Sequence, residues 1–599
     1  MNAVRMIIGG ALLAMVALAR MFALAPFRAG WAMVLANVAW EVFPKKAGID
    51  RFRLEAASAL AGLLLLGWGG VPWLGVAGIA LLLLALEFQN RRWEKRLLSG
   101  NINPGLLLTL EAPLVSRWPR YDLGVRWVGV PFEIDLIVSN PSPQRTPADI
   151  DLALNPPEGW QVDPVGTQHL EPLESGGTGR IRWTLHPTVR QGGGEFQIRV
   201  ACGVRTQRLS LRHDGCRFAA DTPLARASIQ RYPGGRRSAF CWRGDMDLYD
   251  TLTAQTVEGL DAALGLAARY AMPQTMCLST RLTLDPEAAR AWAAHDGRDH
   301  GAEQIPRFIE WMNRNVELRH AAAYPAKGAE KPYVMELGNH GHLHYDTAAA
   351  AAPENGWTSH ARMGAGRYPW MGEDASSFGE QRDNIREAAR WFERCFSFVP
   401  RSWAKPGRGN DSETARAAEA AGCEVLSGSD IRARDNVLFQ PPPHHPAGTH
   451  AVELTSRYPP DPQHIHHLAM LVFWLHRSHR LARPMVFMCH QHMRQWEGPA
   501  CTRFTEEMLR RALGGFHGDL YADTMFAIGK YWREVLSPET RRVSVEARWP
   551  RLMVRNDSDR DLANLPVDLE LAGNGRSTVT VSVPAGAQVE VDMTTGKEI

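Results

Sequence analysis

Two aspartates follow an apolar stretch near the middle of the chain. Asp245 and Asp247 lie in the run Trp-Arg-Gly-Asp-Met-Asp, just after residues that predict a short buried strand. Carboxylates at a strand end can divide the work of a hydrolytic site, because one can bind a metal ion while the other accepts a proton. An Asp-x-Asp pair is also common in solvated turns and helix caps, so it indicates a hydrolytic site only in combination with other motifs.

A cluster of histidines follows another apolar stretch. His340 and His344 are four residues apart, a spacing that puts two imidazoles on one side of a helical turn. Two histidines and one carboxylate, with open positions, form a known catalytic metal set. We expect His342, between them, to point elsewhere. A histidine-rich surface loop is the alternative, and the position after a buried strand favours a site.

A third group stands near the end of the same region. His490 follows the apolar run Met-Val-Phe-Met-Cys, which predicts a late buried strand. An imidazole at a strand end can act as a general acid near neutral pH. Without the other two clusters, a hydrogen-bonded core histidine would be the default interpretation.

The elements that must position these groups alternate between helix and strand from about residue 219 to 537. Helices are predicted at 251–271, 383–395, 412–421 and 520–535. Short buried strands are predicted at 240–242, 333–337, 423–426 and 485–488. This alternation indicates a parallel sheet or barrel with helices outside, in which chemistry collects at the carboxyl ends of the strands.

The order of these motifs resembles the polysaccharide deacetylase superfamily (carbohydrate esterase family four). The resemblance rests on Asp-x-Asp, then Gly-Asn-His-x-x-x-His, then a Pro/Gly loop and a histidine after a late strand, and it covers about residues 236–537. It implies an α/β fold of the distorted (β/α) barrel type and a divalent metal, with zinc as the expected ion. The substrate class that it implies is an acetylated polysaccharide or amino sugar.

The resemblance also implies a role for each motif residue. Asp245 would be the catalytic base, and His490 the catalytic acid. The metal ligands would be Asp247, His340 and His344. Asp430 is the expected partner that orients the acid, with Asp435 as a rival position.

The third motif departs from the family pattern. The loop runs from Ser402 to Gly409 as Ser-Trp-Ala-Lys-Pro-Gly-Arg-Gly, and Ala404 stands where the family has an arginine. We therefore predict that Lys405 or Arg408 supplies the positive charge beside Asp245. The neighbouring Trp403 and Pro406 are expected to position the base or the substrate.

These assignments predict hydrolysis by a metal-activated water. The metal would polarise the acyl carbonyl and lower the pKa of its bound water toward ~7. One rival hypothesis is a catalytically degenerate carbohydrate-binding or polysaccharide-assembly protein, which Ala404 favours and the complete set of acid, base and ligands opposes. A second is a glycosidase, which needs carboxylates about 5 to 9.5 Å apart on either side of the scissile bond; Asp245 and Asp247 are too close in sequence for that.

Two further regions predict β structure. Residues 103–217 alternate with period two between turn-rich segments, which predicts a β-sandwich and resembles Ig-like accessory modules. Residues 541–599 alternate in the same way and predict a small C-terminal β appendage.

The first 95 residues predict a membrane anchor. Apolar runs occupy 6–24, 29–43 and 56–86, and the last exceeds the roughly 20 residues that cross a bilayer core. Basic residues at 45–53 and at 91–96 favour opposite topologies under the positive-inside rule. We predict an inner-membrane protein whose catalytic domain is periplasmic, because polymeric acetylated sugars are mostly trimmed beyond that membrane.

Length and composition set the remaining limits. A chain of 599 residues exceeds one hydrophobic core, so two to four domains are expected. A net charge of +3 gives no reason to expect nucleic acid as a partner. No feature of the sequence identifies a protein partner.

Overall fold

The computed structural model describes residues 105–221, 224–246, 256–296, 301–320, 330–343, 378–406, 412–428, 442–457, 468–490 and 499–599. The predicted membrane segments lie outside these residues. Within the described ranges, no helix combines the length and the apolar character that crossing a membrane requires.

The first module consists of two larger sheets, which enclose one apolar core, and a separate two-stranded sheet formed by its third and eleventh strands. Its strands are β1 (Leu107–Glu111), β2 (Tyr121–Asp122), β3 (Val125–Trp127), β4 (Phe132–Ser139), β5 (Ile150–Asn155), β6 (Trp160–Asp163), β7 (Thr167–Leu170), β8 (Thr178–Pro187), β9 (Gly194–Cys202), β10 (Arg205–His213) and β11 (Gly215–Arg217). One sheet has the order β1-β4-β8-β6 and the other β2-β10-β9-β5-β7. Alternate residues such as Ile134 and Leu136 are fully buried, as the period-two pattern requires. The relation to Ig-like modules stays a prediction.

A parallel sheet forms the centre of the molecule. Its strands are β13 (Ser238–Met246), β14 (Gln274–Leu278), β15 (Val316–Leu318), β16 (Tyr333–Asn339), β17 (Ser402–Ala404), β18 (Val425–Ser427), β19 (Val452–Glu453), β20 (Ser456–Arg457), β21 (Met485–His490) and β22 (Leu520–Ala522). The order is β19-β18-β17-β16-β14-β13-β21-β20, with β15 beside β16 and β22 beside β13. All of these pairings are parallel, so the carboxyl ends of the strands share one edge.

The two ends of this sheet are joined by one short stretch of chain. β19 pairs with β18 at one end, and β20 pairs with β21 at the other. Only Leu454 and Thr455 separate β19 from β20. The sheet therefore curves far enough for a single stretch to contact both of its ends, as in a distorted barrel.

Helices pack against the sheet. They are α1 (Thr256–Arg269), α2 (Thr280–Thr283), α3 (Pro286–Asp296), α4 (Gln304–Asn315), α5 (Phe378–Phe396), α6 (Ser412–Ala420), α7 (Leu468–Arg480), α8 (Pro499–Gly514) and α9 (Met525–Tyr531). The outward side chains of the sheet, such as Trp242 and Leu337, share an apolar cluster with Leu264 and Phe308 of α1 and α4.

Helix α9 differs from the others because it packs on the inner face of the sheet. A Cβ added at Gly529 would lie 2.6 Å from a methyl group of Val425 and 3.1 Å from one of Val452. The backbone N–H of Met525 donates to Thr275 Oγ1 at 2.9 Å, and that of Phe526 donates to Glu336 Oε2 at 3.0 Å. The helix fills the inside of the sheet on the side away from the carboxyl ends.

The C-terminal region is a second two-sheet module. Its strands are β23 (Val543–Arg548), β24 (Arg551–Asn556), β25 (Leu562–Leu571), β26 (Gly575–Val583) and β27 (Gln588–Asp592). It also takes up β12 (Leu224–Ser228), which pairs with β25, whereas the sequence interpretation assigned residues 219–537 to the hydrolase domain. Val554 and Val567 share one apolar cluster with Val425 and Phe526, so this region is continuous with the barrel core.

Candidate functional site

Strand β13 carries the first candidate group. Every residue from Ser238 to Met246 is buried, and Asp245 lies next to the end of the strand. Arg243 Nε donates to Asp245 Oδ1 at 2.9 Å, and Arg243 Nη2 donates to Oδ2 at 2.6 Å. The two side chains are 0% and 3% exposed. The proposed base is therefore a buried carboxylate held at both oxygens by a guanidinium two residues earlier.

A second strand end fixes that guanidinium. Arg243 Nη1 donates to Ser427 Oγ at 2.7 Å. Ser427 is the last residue of β18, and its carbonyl accepts from the Lys405 backbone N–H at 3.1 Å. Ala404 is its register partner on β17. The ends of β13, β17 and β18 are thus linked through polar contacts inside the sheet.

His340 follows the end of β16 and is 1% exposed. Its Nδ1 lies 2.6 Å from the carbonyl oxygen of Ala404. Because a carbonyl can only accept, Nδ1 carries the proton in this contact, and a neutral ring would then have its lone pair on Nε2. A neutral imidazole with its proton fixed by a backbone carbonyl is the form that coordinates a metal ion.

The turn after His340 is held by two asparagines. Asn339 Oδ1 accepts from Gly341 N at 2.8 Å, and Asn384 Oδ1 accepts from Leu343 N at 2.7 Å. Gly341 has a φ of +90°, and an added Cβ would lie 2.7 Å from the Leu343 carbonyl oxygen. Only glycine suits this position, so the Gly-Asn-His-Gly sequence fixes the turn from His340 to Leu343.

His342 has contacts of its own beside the site. Its Nδ1 lies 3.1 Å from Thr280 Oγ1, and its ring stacks on Trp391 with 6.0 Å between centroids. Burial, together with the nearby Arg281, lowers the pKa of His342. These contacts give His342 surroundings different from those of His340.

The backbone of β21 brings the third candidate group to the same edge. Asp245 and His490 are register partners on the adjacent strands β13 and β21. Neighbouring strands lie about 4.8 Å apart, so the two Cα atoms are neighbours. A proposed base and a proposed acid thus sit side by side in the sheet.

The third motif is only partly described. Trp403 is 3% exposed and packs with Ile385 and Leu426, and its expected role in positioning the base or the substrate stays a prediction. Lys405 is 2% exposed. Arg243 contacts Asp245 among the described residues, while Arg408 lies outside them, so the predicted contact of Lys405 or Arg408 with Asp245 stays a prediction.

Several predicted site residues lie outside the described residues: Asp247, His344, Arg408 and Asp430. Among the residues that the structure does describe, no three His, Cys, Asp or Glu side chains are grouped to hold a metal ion. Two of the three proposed ligands fall outside that set, so the ligand triad stays a prediction. His340, with its fixed tautomer, fits the place of one ligand.

A buried carboxylate beneath the site had no role in the sequence interpretation. Glu336, on β16, accepts hydrogen bonds from Thr275 Oγ1 and Phe526 N, and also from Ser402 Oγ. Burial raises the pKa of Glu336 to about 7, although these bonds oppose the rise. Glu336 joins β14, β16 and β17 to the start of α9, and this supports the strand that carries His340.

No family model matches the sequence, and no curated protein matches it. Solved structures give distant matches. A candidate polysaccharide deacetylase of Mycobacterium smegmatis is 13% identical, covering 54% of this chain and 100% of its own, with a TM-score of 0.32. A family 4 carbohydrate esterase of Streptomyces lividans in complex with acetate is 11% identical, covering 48% and 92%, with a TM-score of 0.23.

A third match is a CE4 family pseudoenzyme of Bacillus anthracis. It is 10% identical, covering 47% of this chain and 66% of its own, with a TM-score of 0.24.

Proposed function

We propose that this protein is a metal-dependent hydrolase that removes acetyl groups from a polysaccharide or an amino sugar. The observation that carries the proposal is the shared carboxyl edge of the parallel sheet. Asp245, His340 and the backbone of His490 come from three strands and meet at this edge, while α9 occupies the inner face behind them. Polar groups gathered at this edge favour catalysis over a packing role.

A divalent ion, with zinc as the expected metal, would be held by Asp247, His340 and His344. When bound, such an ion polarises an acyl carbonyl and lowers the pKa of water. The hydrogen bond from His340 Nδ1 to the Ala404 carbonyl supports its assignment as a ligand through Nε2.

Asp245 would accept the proton of the attacking water. An ionised carboxylate has about four lone-pair positions, and the bidentate contact with Arg243 uses two of them. The remaining positions can receive a proton. His490 would protonate the leaving amine or alkoxide, and Asp430 would orient that imidazole.

The proposed setting is the periplasmic face of an inner membrane. The apolar N-terminal segments would tether the chain, and the two β modules would hold the barrel away from the bilayer. A tethered enzyme suits a polymeric substrate, because the polymer is too large to diffuse to a distant site.

Acetate release from a panel of N- and O-acetylated glycans by the purified full-length chain, loaded with zinc, tests the proposal. Asp245→Asn should abolish release and leave bound zinc unchanged, since Asp245 is assigned as a base and not as a ligand. Asp519→Asn is the matched control. Asp519 is 3% exposed and its carboxylate lies 2.7 Å from His479, but it precedes β22 at the opposite edge of the sheet.

Loss of acetate release in Asp245→Asn, together with normal release in Asp519→Asn, would support the assignment of Asp245 as the base. Full release by the Asp245 variant, or loss of its zinc, would reject the role of Asp245. Binding of a glycan without any acetate release would support the catalytically degenerate alternative.

A further inference from the structure

Arg243 is a charged side chain that neither the sequence interpretation nor the assigned roles include. Building on the proposed function, we infer that Arg243 is the positioning residue that orients Asp245 for proton transfer. It takes the place that we expected Lys405 or Arg408 to fill. The inference rests on the contacts of the guanidinium, its burial and the strand register.

The contact between the two side chains fixes orientation as well as charge. Two parallel N–H···O bonds of 2.9 and 2.6 Å hold the guanidinium and the carboxylate in one plane. A carboxylate held at both oxygens cannot rotate about its Cβ–Cγ bond without breaking one of the bonds. The unused lone pairs of Asp245 then point in defined directions.

The strand itself produces this pairing. Residues two apart on a strand point to the same face, so Arg243 and Asp245 both point toward the inside of the sheet. The glycine between them points to the other face. The pair therefore depends on one continuous strand and not on a separate loop.

The far side of the guanidinium is fixed as well. Arg243 Nη1 donates to Ser427 Oγ at 2.7 Å, and the arginine side chain is 0% exposed. Ala404 is the register partner of Ser427, so its methyl group points to the same face as the serine hydroxyl.

A lysine cannot replace these contacts. An ammonium group is a point charge and has no planar fork to bind both carboxylate oxygens and a hydroxyl at once. Arg243→Lys should keep the charge in the core and lose the orientation, whereas Arg243→Met should lose both.

The kinetic test measures kcat and KM for acetate release. We expect Arg243→Met to lower kcat about 100-fold, the loss typical of a misplaced reacting group. KM should stay within about threefold, and zinc content should not change, because the arginine is assigned neither to the substrate nor to the metal. Arg243→Lys keeps the buried charge and should lower kcat about tenfold. It serves as the test variant if Arg243→Met does not fold.

The control is an arginine that immediately precedes the same strand. Arg237 donates to the backbone carbonyls of His479 and Arg480, at 3.1 and 3.0 Å. Arg237→Met should lower the melting temperature but leave kcat within about twofold, since a contact far from the site does not affect the transition state.

A double-mutant cycle completes the test. Because Asp245→Asn should release no acetate, the cycle compares the melting temperatures of Arg243→Met, Asp245→Asn and the variant that carries both changes. Its melting temperature should fall by less than the two single losses combined, because removing both partners leaves no unpaired buried charge. Additive losses in melting temperature, or an unchanged kcat in Arg243→Met, would overturn the inference.

The melting-temperature cycle does not depend on catalysis. Absence of acetate release by the wild-type chain would reject the proposed function, while the cycle would still decide whether the two side chains act as a pair.

Discussion

Glu336 should make the free energy of unfolding of this protein depend on pH. The substitution Glu336→Gln should remove that contribution. The carboxyl group is fully buried, and burial raises its pKa from an ordinary 4.5 to about 7. A carboxyl group whose pKa is raised on folding stabilises the folded state most when it is protonated. The contribution is fully present below pH 4.5 and is lost as pH rises through about 7.

The size of the effect follows from the rise in pKa. The pKa of Glu336 rises from 4.5 to about 7, and each pKa unit corresponds to about 1.4 kcal/mol. Ionisation of Glu336 should therefore lower the free energy of unfolding by on the order of 3 kcal/mol. Glu336→Gln keeps the shape of the side chain and removes the ionisation. The replacement also disturbs the bonds from Thr275, Ser402 and Phe526, but that cost does not vary with pH.

The assay is urea unfolding of both proteins at several values between pH 4.5 and pH 8. Other titrating groups affect both proteins alike, so the difference between them isolates Glu336. We expect the stability of the wild type relative to Glu336→Gln to fall by about 3 kcal/mol across this range. A difference that stays constant, or that changes in the opposite direction, would refute the account of Glu336 as a buried acid with a raised pKa.

Four further predictions address the site, the core and the location. His340→Ala should lower zinc content measured by mass spectrometry, because it removes a proposed ligand; unchanged zinc would reject that role. Gly341→Ala should reduce zinc affinity in competition with a chelator, since its Cβ would meet the Leu343 carbonyl oxygen at a φ of +90°. Trp183→Ala should cost about 3–5 kcal/mol in urea unfolding of the first module, because Trp183 is fully buried there. A reporter fused after residue 100 should be active only in the periplasm, and cytoplasmic activity would reverse the proposed topology.

Local patterns in the sequence were enough to predict where chemistry-bearing residues lie along the chain. Apolar runs of four to six residues predict buried strands, and polar residues directly after them must lie at strand ends. Parallel strands put those ends on one edge, which is why Asp245, His340 and the His490 backbone could be expected together. The period-two alternation in residues 103–217 likewise predicted a sandwich core.

One contact could have been found from the sequence and was missed. Arg243 and Asp245 are two residues apart on a predicted strand, so they had to share a face. The resemblance to a family with an arginine in its third motif directed attention to Lys405 and Arg408. The strand period pointed to Arg243.

The remaining contacts depend on the tertiary structure. The contacts of Arg243 with Ser427 and of His340 with Ala404 depend on how tightly the sheet curves. No local sequence pattern specifies that curvature. The pairing of β12 with β25 and the place of α9 inside the sheet depend on how distant apolar surfaces are buried together. The raised pKa of Glu336 is a property of that burial, because the same carboxyl group in water would ionise at its ordinary pKa.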